Sequence, residues 1–262
     1  ASTLNDPDLW GFGDMFFEHF HKGSKQYEWL EGVLKSEAFQ QSKYRIVMAH
    51  QSPFGLGEHS VPVMADPVAT ITYLDSEGNQ QKLVRIWPFD GNTFESDILP
   101  LVNRKAITGI YYEYPLENDI WKNDIEPLLL EYNVHIVHSG HSHLWNRTLV
   151  EGKLHYLETS NYGNSFAAAY EGFGARPVFR RPFGPDPYTL GDLDPANVPV
   201  FGDPHGRFPI YPNLASVSES VRGKEVLPFV SSNSTGVFTI FDTETGLIES
   251  YAFDFFQPDS EV

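Results

Sequence analysis

The chain has 262 residues, enough for a full hydrophobic core, and its 35 acidic residues outnumber 18 Lys and Arg, giving a formal charge of −17. A protein that binds the phosphate backbone needs a basic surface, so nucleic acid is excluded as a bulk partner. The absence of cysteine excludes disulfides, thiolate metal ligands and a cysteine nucleophile. No apolar run approaches 18 residues, so we expect no membrane-spanning helix. The first residues lack signal-peptide features, and we expect a secreted or periplasmic protein whose signal peptide has been removed.

The first part of the chain predicts a helix, a strand and a loop in that order. Residues 24–35 have apolar side chains at helical spacing after a possible N-cap, Ser24. The β-prone residues 44–49 predict a buried strand that ends at His50. The region of about 60–112 contains short β-prone pieces around a turn and predicts an insertion that bears a hairpin.

The same order of elements appears a second time. Residues 119–131 predict a helix that Pro127 kinks or ends, and residues 134–138 predict a second buried strand. Two helix–strand–loop units predict a mainly parallel α/β layer. In such layers, functional residues gather at the carboxyl ends of the strands, where both histidine-bearing loops are expected.

The later part of the chain predicts a long excursion followed by more β-structure. Residues of about 171–216 contain many Gly and Pro, which disfavour long helices and central strands. Short strands are predicted at 226–230, 236–241 and 247–253, and the last two form an antiparallel hairpin. The prediction treats residues 1–262 as part of one domain.

The sequence Gly140-His141-Ser142-His143 carries the strongest chemical signal. On an extended segment, residues two apart point to the same side, so both imidazoles can face one cavity. The preceding glycine is expected to permit a sharp turn and a close metal approach. Imidazole is a good ligand for transition metals, and His50 at the end of the other strand adds a third candidate. A pair of hydrogen-bonded structural histidines is the alternative.

These segments resemble a known family. His50-Gln51-Ser52-Pro53, the Gly-His-Ser-His segment and the helix around residues 26–31 are similar to motifs of calcineurin-like metallophosphoesterases, in particular the purple acid phosphatase branch. The resemblance covers roughly residues 24–56, 119–165 and 226–256. It implies an α/β fold that is part of a four-layer α/β-β/α sandwich with a C-terminal antiparallel hairpin.

The resemblance also implies a dinuclear site of two divalent or trivalent transition-metal ions of the Fe, Zn or Mn class. His50 and His141 would bind one ion and His143 the other, and His59 would contact the phosphoryl group or protonate the leaving group. The implied activity is two-metal hydrolysis of a phosphoester substrate, by a phosphatase or a phosphodiesterase.

The carboxylate motifs that the family places before its histidine motifs are absent from this sequence. We therefore expect the chain to be the C-terminal part of an enzyme whose N-terminal half, or a second polypeptide, carries those ligands. The alternatives are a non-catalytic binding or structural subunit derived from a metallophosphoesterase, and a module that binds a single metal ion.

Four other histidines are not expected to bind a metal ion. His135 and His138 lie on the predicted strand before the motif and are expected to be structural. His19 and His21 have the spacing of metal ligands, but they lie in a terminal segment without strand pattern. We expect those two side chains to be exposed to solvent.

Overall fold

A computed structural model describes part of the chain, namely Asn5 and residues 19–53, 64–66, 68–86, 91–113, 115–161, 182–183, 229–230 and 235–256. The predicted excursion of 171–216 therefore lies almost entirely outside the described residues, as does His59. The chain divides into two compact units. The first unit comprises the described residues within Ala1–Trp29, Val63–Ile125 and Pro177–Val198, and the second comprises those within Leu30–Pro62, Glu126–Arg176 and Pro199–Val262.

The described elements are mixed helices and strands, and they are numbered in chain order. The helices are α1 (Lys25–Lys35), α2 (Glu37–Gln40), α3 (Gly91–Thr93), α4 (Leu99–Asn103) and α5 (Glu126–Glu131), with π-helical turns at Phe94–Ile98 and Trp121–Ile125 and a 3₁₀ turn at Leu116–Asn118. The strands are β1 (Ile46–Gln51), β2 (Val68–Leu74), β3 (Gln80–Ile86), β4 (Ile107–Glu113), β5 (Ile136–Gly140), β6 (Trp145–Val150), β7 (Leu154–Thr159), β8 (Pro182–Phe183), β9 (Phe229–Val230), β10 (Thr235–Phe241) and β11 (Ile248–Asp254). The α/β class predicted from the sequence is thus confirmed.

The second unit contains a five-stranded sheet in the order β1-β5-β7-β6-β9. Strands β1, β5 and β7 are parallel, whereas β6 and β9 run antiparallel to their neighbours. The prediction of parallel strands is therefore confirmed for β1 and β5, which pair directly. Their carboxyl ends meet at one edge of the sheet, as parallel pairing requires.

The burial predicted for the first strand is wrong. Ile46 and Met48 of β1 are exposed, and the neighbouring residues are only partly buried. The reason is the strand order, because β1 is the edge strand of this sheet among the described strands. By contrast, β5 lies between two strands and its apolar residues Ile136 and Val137 are buried, as expected.

The two predicted helices are present. Helix α1 begins after Ser24, whose Oγ accepts a hydrogen bond from the backbone N–H of Tyr27 (3.2 Å), and Leu34 is fully buried. The second predicted helix is a π-helical turn followed by α5, and the change occurs beside Pro127, where the sequence predicts a kink or an end. None of the helices in the described part of the chain is long and apolar enough to cross a membrane.

The hairpin formed by β10 and β11 is the predicted terminal hairpin, and it packs on the five-stranded sheet. Buried side chains from both meet in one core, made of Ile136, Trp145, Leu157, Val230, Val237 and Ala252. The indole N–H of Trp145 donates a hydrogen bond to the Ser250 hydroxyl (3.1 Å). The backbone N–H of Val237 donates to the carbonyl of Asn161 (2.9 Å), which joins the start of the hairpin to the end of β7.

The first unit has its own antiparallel sheet in the order β3-β2-β4-β8. The hairpin of β2 and β3 forms where the sequence predicts it, with Gly78 in the turn at a φ of 84°. Residues of β2, β4 and the helical segment over 94–103 share a buried apolar core (Ala69, Ile71, Ile98, Leu101, Val102, Ile107 and Ile110). The region predicted as an insertion thus contributes three of the four strands of this sheet and the whole of this core.

Candidate metal and active site

The structure brings His50 and His141 together at the carboxyl ends of two parallel strands. Strand β1 has one residue more than β5 between the pairs Met48–His138 and Gln51–Gly140, so His50 lies in a β-bulge. Bulges redirect side chains and are common beside functional sites. The Nε2 atom of His50 lies 3.0 Å from the Nδ1 atom of His141, and the ring centroids are 4.8 Å apart.

The loop after β5 places both of its histidines in strained backbone. The N–H of Ser142 donates to the carbonyl of Gly140 (2.9 Å), which closes a three-residue turn around His141 at a φ of 72°. His143 has a φ of 58°. A γ-turn with positive φ is rare and strained, and such strain is kept where the surroundings hold it in place.

The sharp turn expected at Gly140 is not observed. Its φ is not in the left-handed region, and a Cβ there would only make ordinary contacts with the Ser160 Cβ (3.6 Å) and the His50 carbonyl (3.9 Å). The sharp turn is made by His141 and His143 instead. The loop therefore depends on contacts outside itself rather than on glycine freedom.

Glu158 supplies the main contact that holds this loop. Its carboxylate, on β7, accepts hydrogen bonds from the backbone N–H of Ser142 (3.1 Å) and from the side-chain amide of Asn146 (2.9 Å). The Ser142 hydroxyl also hydrogen-bonds to it, whereas the Ser160 hydroxyl donates to the carbonyl of Leu144 (3.3 Å). Burial raises the pKa of Glu158 to about 8, although these hydrogen bonds act in the opposite direction. Sequence reasoning missed this residue, whose signal is a single carboxylate within the apolar run of β7.

The facing ring nitrogens of His50 and His141 could supply two of the ligands of one transition-metal ion. With metal–nitrogen distances of about 2.1 Å, two nitrogens 3.0 Å apart subtend an angle of roughly 90° at the ion, as neighbouring ligands of a five- or six-coordinate metal do. Within the described residues, no third His, Asp or Glu donor lies within 4.8 Å of both nitrogens. The pair can therefore contribute two ligands, and the other ligands would have to come from outside this set.

The other predicted site residues have different positions. His143 is half-buried and does not join His50 and His141 in a single three-donor group. His59 lies outside the described residues. His135 accepts a hydrogen bond from the backbone N–H of Arg45 (3.1 Å), and His138 is bonded to the Thr159 hydroxyl (2.7 Å), so the structural role expected for these two is confirmed.

The structure also brings together residues that the sequence prediction treated as unrelated. His19 and His21 are partly exposed, with 41% of the His19 side chain accessible to solvent, and both lie beside Asp66. One atom from each of the three residues lies within 4.8 Å of the others. The ligand spacing of the two histidines was visible in the sequence, but nothing local connected them with a carboxylate 47 residues away from His19.

No protein-family model matches the chain, and no curated protein matches it at a significant level.

Proposed function

We propose that the chain belongs to a calcineurin-like metallophosphoesterase and takes part in metal-dependent hydrolysis of a phosphoester, as a phosphatase or a phosphodiesterase. The observation that carries the proposal is the contact between His50 and His141 at the carboxyl ends of parallel strands. In the proposed enzyme, His50 and His141 bind one transition-metal ion of the Fe, Zn or Mn class, and His143 binds a second. His59 is proposed to contact the phosphoryl group or protonate the leaving group.

The metal ions would polarise the phosphoryl oxygens and lower the pKa of a water molecule. The residues of this chain would hold the imidazoles in place. Glu158 anchors the loop that carries His141 and His143, and the bulge in β1 orients His50. With a formal charge of −17, the chain would depend on the metal ions rather than on basic side chains to attract a phosphate.

The carboxylate ligands are proposed to come from an N-terminal half or from a second polypeptide. Strand β1, which carries His50, is at the edge of its sheet among the described strands. Its apolar residues Ile46 and Met48 are exposed, and Met48 retains 75% of its accessible surface. An edge strand with exposed apolar side chains favours pairing with further strands. Those added strands would also complete the proposed four-layer α/β-β/α sandwich.

The proposal is tested on the natural protein isolated with any polypeptide that co-purifies with it. We expect His50→Ala and His141→Ala each to lower kcat/KM for a chromogenic phosphomonoester or phosphodiester by at least ~100-fold, because each removes a metal ligand. Total metal content, measured by elemental analysis of the same samples, is expected to fall with activity.

His155→Gln is the matched control, since it removes an imidazole from β7 of the same sheet without touching the proposed pair. It is expected to keep its metal content and its turnover. Full activity in both alanine variants would overturn the hydrolase proposal. Absence of metal and of turnover in every preparation of the natural protein would favour the non-catalytic subunit instead.

A further inference from the structure

A second group of metal-type ligands lies in the first unit, and the proposed hydrolysis does not use it. The Nδ1 atom of His19 lies 2.9 Å from a carboxylate oxygen of Asp66. His21 is the third member, with its ring centroid 5.2 Å from that of His19. The side chain of His19 is 41% exposed and that of Asp66 is 19% exposed, so an ion can reach the group from solvent.

The hydrogen bonding of His21 is typical of a metal ligand. Its Nδ1 atom lies 3.0 Å from the carbonyl of Lys22 and donates to it, since a carbonyl can only accept. The donated proton fixes the tautomer and leaves the lone pair on Nε2. Metal-binding histidines almost always have their other ring nitrogen held in this way.

Hydrogen bonds connect both segments of this group, residues 19–22 and residues 64–66, to the same helical turn at residues 120–125. The backbone N–H of Lys22 donates to the Asp124 carboxylate (2.8 Å), and the backbone N–H of Ile120 donates to the carbonyl of Met64 (2.9 Å). The Asp119 carboxylate accepts a hydrogen bond from the backbone N–H of Trp121 (3.1 Å), where this helical turn begins. The three side chains are therefore held close together without a metal ion, which reduces the ordering that binding requires.

We propose that His19, His21 and Asp66 form a binding site for one divalent transition-metal ion of the Zn²⁺ class. Two imidazoles and one carboxylate are a recurrent ligand set for Zn²⁺ and for non-haem Fe²⁺, and they leave at least one position open for water. Ca²⁺ and Mg²⁺ prefer oxygen ligands throughout, so this set discriminates against them. The site includes a carboxylate, and none of its three residues is assigned to the proposed hydrolase centre.

The test is a calorimetric titration of the chelator-treated full chain with Zn²⁺ alone. We expect Asp66→Asn and His21→Ala each to remove one binding event, or to weaken it by at least ~100-fold, because loss of a ligand costs more than loss of a supporting hydrogen bond. Zn²⁺ is also expected to raise the Tm of the wild-type chain more than that of either variant. Glu95→Gln, which alters an exposed carboxylate of the same unit, is expected to match the wild type.

Two comparisons separate this site from the proposed hydrolase centre and from misfolding. His141→Ala is expected to keep the binding event that Asp66→Asn removes, whatever its effect on phosphoester turnover. Asp66→Asn conserves shape and can still bond to His19, so its circular dichroism spectrum is expected to match the wild type. If Zn²⁺ stoichiometry and affinity are unchanged in both Asp66→Asn and His21→Ala, the group is a hydrogen-bonded His–Asp pair and the proposal is wrong.

Discussion

Trp145→Ala is expected to lower the free energy of unfolding by about 3–5 kcal/mol, the usual cost of truncating a buried tryptophan. Trp145 is 4% exposed and lies in the core between the five-stranded sheet and the β10–β11 hairpin. Its indole N–H is bonded to Ser250, so the substitution removes a hydrogen bond as well as a large apolar side chain. The substitution also leaves a cavity in the core that Trp145 shares with Val237 and Ala252 of the hairpin.

Urea unfolding followed by far-UV circular dichroism measures this loss, and two variants serve as controls. Trp29→Ala removes the same side chain from helix α1, where it is 65% exposed, and is expected to change stability by less than ~0.5 kcal/mol. Trp145→Phe keeps much of the apolar contact but loses the hydrogen bond, and an intermediate cost is expected. Equal effects of Trp145→Ala and Trp29→Ala would contradict the packing role of Trp145.

Local patterns in the sequence predict helix α1 and much of the second unit. Helix α1, the strand β5 and the hairpin of β10 and β11 each have a spacing of apolar residues and a cap or turn that belong to one short segment. The hairpin of β6 and β7 has equally local signals, including the turn at Glu151 and Gly152, and was missed. The burial of β1 could not be predicted locally, because its edge position depends on which strands pair with it.

Some features of the candidate site could likewise be predicted from the sequence, and others could not. The contact between His50 and His141 could be predicted, because parallel strands bring their carboxyl ends to one edge of a sheet. The roles of Glu158 and Asp66 could not, because each depends on a contact between segments that are distant in sequence. The strain at His141 was also not visible, since the motif suggested that Gly140 would adopt the unusual backbone.

Glu158→Ala is expected to destabilise the second unit by about 2–5 kcal/mol, because several buried donors lose their shared acceptor. The amide of Asn146 loses this carboxylate as an acceptor, and so does the N–H of Ser142, which is also bonded to the Gly140 carbonyl. With Glu158 removed, fewer hydrogen bonds hold His141 and His143 at their positive φ values. Amide hydrogen exchange in residues 141–143 is expected to become faster in this variant, beyond any change in β7.

Comparing Glu158→Gln with the wild type measures how protonation of the Glu158 carboxyl group affects folding stability. Because burial raises the folded-state pKa to about 8, the folded chain keeps a proton that the unfolded chain releases near its ordinary pKa of 4.5. The stabilisation is therefore full at low pH and is lost as the pH rises from about 5 to 8, by at most about 1.4 kcal/mol per pH unit. The glutamine variant lacks this titration, so its stability relative to the wild type should improve across that range.

Urea unfolding of wild type and Glu158→Gln at pH 5, 6, 7 and 8 measures the difference directly. Other titrating groups, including the half-buried His138 and His155 whose pKa values burial lowers, affect both proteins equally and cancel in the difference. Glu131→Gln replaces an exposed carboxylate of α5, and its difference from wild type is expected to be independent of pH over this range. A constant difference for Glu158→Gln would mean that Glu158 is ionised in the folded chain throughout, anchoring the histidine loop as a charged acceptor.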